Sequence, residues 1–269
     1  MRLLSDCRIV AQTEVAPGHF RMQFDAAEMA RAAVPGQFCM VQVAEGLYPF
    51  LRRPMCFERF YYDGFSILFK VEGEGTRLMS RMGVGQTVSV QGPLGNGFPI
   101  DANVERHIIV AGGIGVAPFP GLAEALCSAC DAAPEVVLAA RTRDLLLCEA
   151  DFRAHGCDVH LATDDGSVGR KGFASDVLEE LSPSAQCCIY ACGPMPMMRA
   201  VAKVAEANDA TCWTSLEAQM ACGDGICLGC VVESTDEREG EHMVRVCRDG
   251  PVLDARVIDW DAVDVARAP

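Results

Sequence analysis

Four cysteines near the end of the chain place the tightest limit on its fold. Cys222, Cys227 and Cys230 lie in the run MACGDGICLGC with C-x4-C-x2-C spacing, and Cys247 follows after sixteen further residues. This is the spacing of plant-type [2Fe-2S] ligands, in which four thiolates hold two irons. Zinc sites use paired C-x2-C hooks, and this run contains only one. The sequence therefore predicts a [2Fe-2S] cluster on these four ligands, with a zinc knuckle or buried packing as the alternatives.

The other eleven of the fifteen cysteines are interpreted mainly as packing residues. Their odd total and the length of 269 residues argue against a disulfide framework, because a chain of this size can bury proper cores. Cys127 and Cys130 form CSAC in a predicted helix, with no second hook beside them. No charged-then-apolar leader opens the sequence, so we expect a reducing, cytoplasmic setting.

Charge and hydropathy exclude two classes of partner. The formal net charge of −14 argues against nucleic acid, because phosphate binding needs a basic face. The longest uncharged stretch, residues 107–123, is interrupted by glycine and proline and is shorter than the roughly 18 apolar residues of a membrane span. We expect neither a nucleic-acid nor a membrane partner.

Residues 1–100 have the pattern of a small antiparallel barrel. Short β-branched and apolar runs are cut by glycine and proline at intervals of about ten residues. A short helix is predicted over residues 76–81, before the last strand. The six predicted strands cover residues 8–14, 19–24, 37–43, 51–60, 65–71 and 87–90.

Residues 101–211 alternate strands with helices, which is the pattern of a parallel sheet covered on both faces. We predict a five-stranded α/β sheet here and a small cluster-binding subdomain over residues 212–269. The clearest strands cover residues 107–111, 135–140, 158–162 and 187–191. The predicted helices cover residues 117–128, 144–154, 174–181 and 195–207.

Two glycine-rich turns each follow a strand of this sheet and open a helix. The first reads GGIGVAP and the second CGPM. Amides at such turns can approach a pyrophosphate, and parallel strands end at a common edge, so the two turns should converge into a dinucleotide site. The first turn differs from G-x-G-x-x-G, so a tight packing turn is its alternative. The predicted contacts are Gly112, Gly113, Gly115, Gly193 and Pro194.

Two arginines, Arg52 and Arg53, lie in an otherwise apolar strand, where an unpaired charge is costly. A guanidinium can hold a diphosphate with two hydrogen bonds. The alternative is an edge-strand arginine that faces solvent, which Pro54 permits. The later GEGT run offers further amides for a phosphate.

Taken together, these motifs resemble the ferredoxin reductase superfamily, and most closely the electron-transfer subunits of NAD-dependent (type B) dihydroorotate dehydrogenases. RRPMCF is similar to that family's RRPIS box, EGEGT to its second flavin loop, LGNGF to its domain junction, and the cysteine run with VCRDGPV to its cluster region. The resemblance covers nearly the whole chain. It implies FAD on the barrel, NAD on the sheet, and the cluster on the four cysteines. The implied FAD contacts are Arg53, Pro54, Met55, Cys56, Leu68, Phe69, Lys70, Gly75 and Thr76.

The resemblance also implies two catalytic positions. Cys192 is expected near the nicotinamide, and Cys56 near flavin N5. The family usually has serine or threonine at the position of Cys56, and a thiol is a weaker hydrogen-bond donor than a hydroxyl. We therefore expect a shifted flavin potential or hydride rate rather than a lost site.

The implied function is a relay that moves a hydride between NAD and FAD and single electrons through the cluster. The implied partner is an FMN-containing catalytic subunit that oxidises dihydroorotate to orotate in pyrimidine synthesis, within an α2β2 heterotetramer. The alternatives are a stand-alone NAD(P)H:ferredoxin or sulfide-linked reductase, and a redox sensor without turnover. Arg141 and Arg143 leave NADP open, and the family favours NAD.

Overall fold

The N-terminal strands close into an antiparallel barrel. In the computed structural model, residues 3–238 and 241–265 are described. The strands are β1 (Leu3–Ala16), β2 (His19–Asp25), β3 (Phe38–Val41), β4 (Arg53–Phe60), β5 (Gly64–Lys70) and β6 (Thr87–Leu94). They run around the barrel in the order β1, β2, β5, β4, β3, β6, which confirms the predicted six-stranded barrel.

Aromatic side chains fill the barrel. Phe24, Phe57 and Phe65 are fully buried, and the rings of Phe57 and Phe65 meet edge to face at 4.8 Å between centroids. Two short helices accompany the strands, α1 (Ala27–Ala32) and α2 (Glu74–Met79). α1 was not predicted from the sequence, and α2 begins two residues earlier than the predicted helix.

A sheet of seven strands follows, with helices on its faces. Its members in the middle of the chain are β7 (Arg106–Gly112), β8 (Glu135–Ala140), β9 (Asp158–Thr163), β10 (Arg170–Lys171), β11 (Cys187–Cys192) and β12 (Thr211–Ser215). These six strands are parallel. The helices are α3 (Phe119–Ala129), α4 (Glu149–Ala154), α5 (Ala174–Glu180) and α6 (Met195–Ala207).

The C-terminal segment contributes β13 (Val231–Arg238), β14 (Glu241–Arg245), β15 (Val252–Asp254) and α7 (Trp260–Val265). β13 and β14 form a separate antiparallel pair, whereas β15 pairs antiparallel with β12 and completes the sheet order β10, β9, β8, β7, β11, β12, β15. The division into domains at residues 1–100, 101–211 and 212–269 stays a prediction. Residues 1–2, 239–240 and 266–269 of these domains lie outside the described residues.

The predicted fold class is confirmed, but the number of strands in the sheet and the start of one helix differ from the prediction. The prediction of five strands is too low, because the two-residue β10 is too short to show a periodic pattern and β15 comes from the cluster segment. The helix predicted over residues 144–154 begins only at Glu149. Cys148 precedes it with a φ of 61°, a left-handed conformation that an α-helix cannot contain. No described helix is long and apolar enough to cross a membrane.

Candidate functional site

Arg52, the residue before β4, and Arg53, the first residue of β4, make different contacts. Arg52 donates hydrogen bonds to the Ser89 backbone oxygen at 2.7 Å and to its hydroxyl at 2.9 Å, so it ties β4 to β6. Arg53 instead lies against Gly75, where an added Cβ would come within 2.7 Å of the Arg53 Cζ atom. The RRP strand and the GEGT loop are therefore in direct contact. They form a cradle in which the guanidinium and loop amides suit a diphosphate.

The remaining predicted flavin contacts differ in their exposure and in their hydrogen-bond partners. Thr76 Oγ1 accepts hydrogen bonds from the backbone N–H groups of Glu72 at 2.9 Å and Gly73 at 3.2 Å, which shapes the loop. Lys70 is exposed and paired with Glu72 at 2.7 Å. Leu68 and Phe69 are buried and lie opposite Arg21 and Phe20 of β2. Pro54 and Met55 lie opposite Met40 and Cys39 of β3.

The two glycine turns of the sheet meet, as their placement on neighbouring parallel strands requires. β7 pairs with β11 up to Ala111 opposite Cys192. A Cβ on Gly115 would come within 2.6 Å of the Cys192 carbonyl carbon, and one on Gly193 within 3.0 Å of Gly112 Cα. Only glycine permits this approach of backbone to backbone. The two turns are thus in direct backbone contact at the edge of the sheet.

The other residues predicted to bind NAD at this edge of the sheet make different contacts. A Cβ on Gly112 would meet Pro194 Cδ at 2.9 Å, so these two residues pack on each other. Gly113 has a φ of 56°, which favours glycine, and a Cβ there would meet no atom within 4 Å. Arg141 and Arg143 are both exposed near the end of β8.

Three side chains from distant parts of the chain interact where the barrel meets the sheet edge. Burial raises the pKa of Cys56 to about 12, and the Glu217 carboxylate adds to this effect. Burial, Glu217 and Cys56 also raise the pKa of Cys192 well above its ordinary value. The two predicted catalytic thiols are therefore close to each other, neutral, and accompanied by a carboxylate.

Glu217 is a further candidate site residue, which was not predicted from the sequence. It is exposed and follows β12 by two residues, at the same edge as the glycine turns. Its position in the sequence, between a strand of the parallel sheet and the cysteine run, could have indicated a place at this edge. A carboxylate at this point can accept a hydrogen bond from a thiol or from a carboxamide such as that of nicotinamide.

The four predicted cluster ligands lie in one loop system lined by backbone N–H groups. The Asp224 N–H lies 3.3 Å from Cys222 Sγ, the Gly225 N–H 3.1 Å from Cys247 Sγ, and the Cys247 N–H 3.4 Å from Cys230 Sγ. Burial raises the pKa of Cys222, but the backbone N–H of Cys227 and its neighbours lower it more, to about 7. Three of the four sulfurs accept backbone hydrogen bonds, and four cysteine thiols in one loop system fit the donor set of a [2Fe-2S] cluster.

The cluster loop, which contains residues 222–230, packs directly on β3 of the barrel, next to β4. A Cβ on Gly223 would come within 2.7 Å of Met40 Cγ, and Met40 pairs with Pro54 of β4. The loop that joins barrel and sheet is fastened to the same segment, because the Asn96 backbone N–H donates to Gly250 O at 2.7 Å. The cradle and the cluster ligands are thus separated by one strand.

Two family models match parts of this chain. The family described as "Iron-sulfur cluster binding domain of dihydroorotate dehydrogenase B" matches residues 217–259, and "Oxidoreductase NAD-binding domain" matches residues 109–203.

Whole-length relatives carry one name, "Dihydroorotate dehydrogenase B (NAD(+)), electron transfer subunit". The relative from Lysinibacillus sphaericus (strain C3-41) is 38% identical over 250 residues, covering 91% of this chain and 95% of that protein. The one from Desulforamulus reducens (strain ATCC BAA-1160 / DSM 100696 / MI-1) is 34% identical over 265 residues, covering 97% and 100%.

Solved structures share the fold. A chain of the NADH-dependent reduced ferredoxin-NADP oxidoreductase, studied for flavin-based electron bifurcation, has a TM-score of 0.84 and 28% identity and covers 97% of this chain and 92% of that chain. The ferredoxin reductase in carbazole 1,9a-dioxygenase has a TM-score of 0.68 at 20% identity and covers 78% and 67%, which shows the fold alone.

Proposed function

We propose that this chain, which belongs to the family of dihydroorotate dehydrogenase B electron transfer subunits, passes electrons between NAD(H), FAD and a [2Fe-2S] cluster, to or from a catalytic subunit. The observation that carries the proposal is the meeting of three parts at one place. Arg53 of β4 contacts Gly75, Cys56 of the same strand packs against the core cluster that contains Cys192, and Met40 of the neighbouring β3 contacts Gly223 of the cluster loop.

The side chains of the site bind and orient in this proposal. Bound FAD supplies the conversion between two-electron hydride transfer and one-electron steps. Arg53 and the loop amides around Gly75 hold the flavin diphosphate, and the paired glycine turns hold NAD with its nicotinamide beside Cys192. Cys56 stays a neutral thiol because its pKa is raised to about 12, so it can donate a hydrogen bond to the flavin ring.

The cluster loop presents apolar side chains around its ligands. Ile226 is 78% exposed and Leu228 is 58% exposed, on either side of Cys227, which is itself exposed. Exposed apolar residues on a loop that holds a redox centre favour a protein partner there. The family name implies a catalytic subunit. We propose that it contains FMN, oxidises dihydroorotate to orotate, and forms an α2β2 heterotetramer with this chain in the cytoplasm.

A stand-alone NAD(P)H:ferredoxin reductase is the second candidate. The similarity to the reduced ferredoxin-NADP oxidoreductase chain over 97% of this sequence favours it. Identity is higher to the dihydroorotate dehydrogenase subunits, at 38% against 28%, so we place that function first.

Co-expression with an FMN-binding dihydroorotate dehydrogenase from the same genome tests the proposal. We expect the two chains to co-purify, and orotate formation to depend on NAD only when both are present. If this chain elutes alone, reduces dyes or ferredoxin with NADH, and adds no NAD-dependent activity to the FMN subunit, the second candidate is correct. Without NADH-dependent dye reduction, both candidates fail and a sensor remains. Parallel assays with NADPH test the proposed preference for NAD.

A further inference from the structure

A series of alternating charges crosses the contact between the barrel and the parallel sheet. Arg21 of β2 and Arg59 of β4 face Asp151 of α4. Arg21 Nη2 lies 2.8 Å from Asp151 Oδ2, and Arg59 Nη2 lies 3.3 Å from Asp151 Oδ1. Arg59 Nε also lies 3.3 Å from Glu124 of α3. In these three contacts the barrel supplies the cations and the helices of the sheet supply the anions.

A buried carboxylate anchors the series inside the barrel wall. Glu58 is fully buried, accepts from Arg21 Nε at 2.8 and 2.9 Å, and accepts from Ser66 Oγ at 2.8 Å. Burial lowers the pKa of Arg21, but its bonds with Glu58 and Asp151 raise the pKa more. A buried ion pair of this kind has a defined geometry, unlike exposed pairs, which are screened and mobile.

The same group of atoms has the spacing of a metal site, but it already holds a cation. Ligand atoms of Glu58, Cys148 and Asp151 lie within 4.8 Å of one another. Arg21 Nη2 lies 2.6 Å from Glu58 and 3.8 Å from Cys148 Sγ, in addition to its contact with Asp151. The guanidinium therefore fills the position, and its role is to join the two parts.

The elements joined here are those that carry the two halves of the redox site. β4 contains Arg53 and Cys56 a few residues before Glu58, and α3 begins directly after the GGIGVAP turn. Gly121 of α3 lies so close to β4 that a Cβ would come within 3.0 Å of the Glu58 backbone oxygen. The charge series therefore joins β4 to α3, the helix that follows the glycine turn, beside this close backbone approach.

We propose that Arg21, Glu58, Arg59 and Asp151 are positioning residues that set the distance between nicotinamide and flavin for hydride transfer. This inference rests on the proposed function, since it requires NAD and FAD to meet at the sheet edge. Hydride transfer, which oxidises NADH to NAD+ and reduces the flavin by two electrons, needs reacting atoms about 3 to 3.5 Å apart. A displacement of about 1 Å can lower such a rate by about a hundredfold.

The test uses Asp151→Asn in the FAD- and cluster-loaded protein. Asp151 is 26% exposed, so the variant should fold with normal FAD and iron content. We expect flavin reduction by NADH in anaerobic stopped flow to slow by about tenfold, equivalent to about 1.4 kcal/mol. The long-wavelength charge-transfer absorbance between nicotinamide and flavin should weaken, while reduction by dithionite should be unchanged. Asp151→Glu should restore both signals.

Glu149→Gln is the matched control, because it removes the Glu149–Arg153 pair within the same helix at 2.9 Å without touching the barrel. A second variant, Gly121→Ala, should separate α3 from β4 and reproduce the slow hydride transfer. Wild-type rates and charge-transfer absorbance in both Asp151→Asn and Gly121→Ala would overturn the positioning role alone. A wild-type holoprotein that NADH does not reduce would overturn the proposed function and this inference with it.

Discussion

The cluster loop and the edge of the parallel sheet both present cysteine thiols, in opposite electrostatic surroundings. Backbone N–H groups lower the pKa of Cys222 to about 7 against the effect of burial. At the sheet edge, burial and the Glu217 carboxylate raise the pKa of Cys192 well above its ordinary value. Thiolates bind iron, whereas neutral thiols are inert hydrogen-bond donors. The surroundings, rather than the residue type, thus shift the pKa values of Cys222 and Cys192 in opposite directions.

The contrast is not uniform within the loop. Burial, and the neighbouring Cys230, raise the pKa of Cys247 to about 12. Cys247 is therefore expected to lose its proton only as iron binds, because a metal ion deprotonates its thiol ligands. Cluster assembly should release protons at neutral pH.

The largest expected effect comes from breaking the loop's ligand set. Cys227→Ser should remove the visible charge-transfer absorption and most of the iron, because a hydroxyl is a poor substitute for a thiolate. Cys127→Ser, a half-buried cysteine outside the loop, is the control and should keep the full spectrum. A Cys227→Ser protein with an unchanged spectrum would refute the ligand assignment.

Alkylation of the cluster-free protein measures the contrast directly. At pH 8 Cys222, with a pKa of about 7, should be mostly thiolate, while Cys56, with a pKa of about 12, should be almost wholly protonated. We expect Cys222 to react with iodoacetamide more than about a hundredfold faster, by peptide mass spectrometry. Equal rates at both positions would show that the two regions do not differ.

The raised pKa of Cys56 also makes the free energy of unfolding depend on pH. Since the folded pKa of Cys56 is above its ordinary value of 9.0, the stabilisation from its neutral thiol is complete below pH 9. It is lost as the pH rises from about 9 towards 12.

Closing the sheet edge should have a smaller but still large effect. A methyl group at Gly115 would lie 2.6 Å from the Cys192 carbonyl, so the two turns must separate. We expect Gly115→Ala to slow flavin reduction by NADH by about a hundredfold, with FAD content and dithionite reduction unchanged. Gly83→Ala, where the nearest atom is 4.0 Å away, is the control glycine. An unaffected Gly115→Ala protein would exclude this edge as the NAD site.

The smallest expected effect concerns the thiol beside the flavin. Cys56→Ser gives the residue common in the family and a stronger donor, so the flavin potential should rise slightly and the hydride rate should change by about threefold. Cys212→Ser, at a buried sheet position, is the comparison variant and should affect stability rather than the potential. A Cys56→Ser potential equal to that of the unmodified protein would place Cys56 away from the ring.

Local patterns predicted the barrel, the α/β alternation and the meeting of the glycine turns, because each depends on periodicity or on the rule that parallel strands end at one edge. Ion pairs between residues that are far apart in the sequence have no such pattern, so they could not be predicted. Arg21 and Asp151 are 130 positions apart, and Glu217 lies in a stretch without periodic pattern. Cys148 interrupts a helix through a left-handed backbone, which few non-glycine residues adopt and which no motif marks.

The antiparallel pairing of β15 with β12 gives the cluster segment a second task. In the described part of the sheet, Thr214 lies opposite Leu253, and the Thr214 hydroxyl donates to Leu253 O at 3.3 Å. A chain cut after residue 215 would leave the N–H and C=O groups of β12 that face β15 unpaired, and such an open strand edge is a template for aggregation. A relative that dispensed with iron would therefore still need a strand at this edge to stay monodisperse.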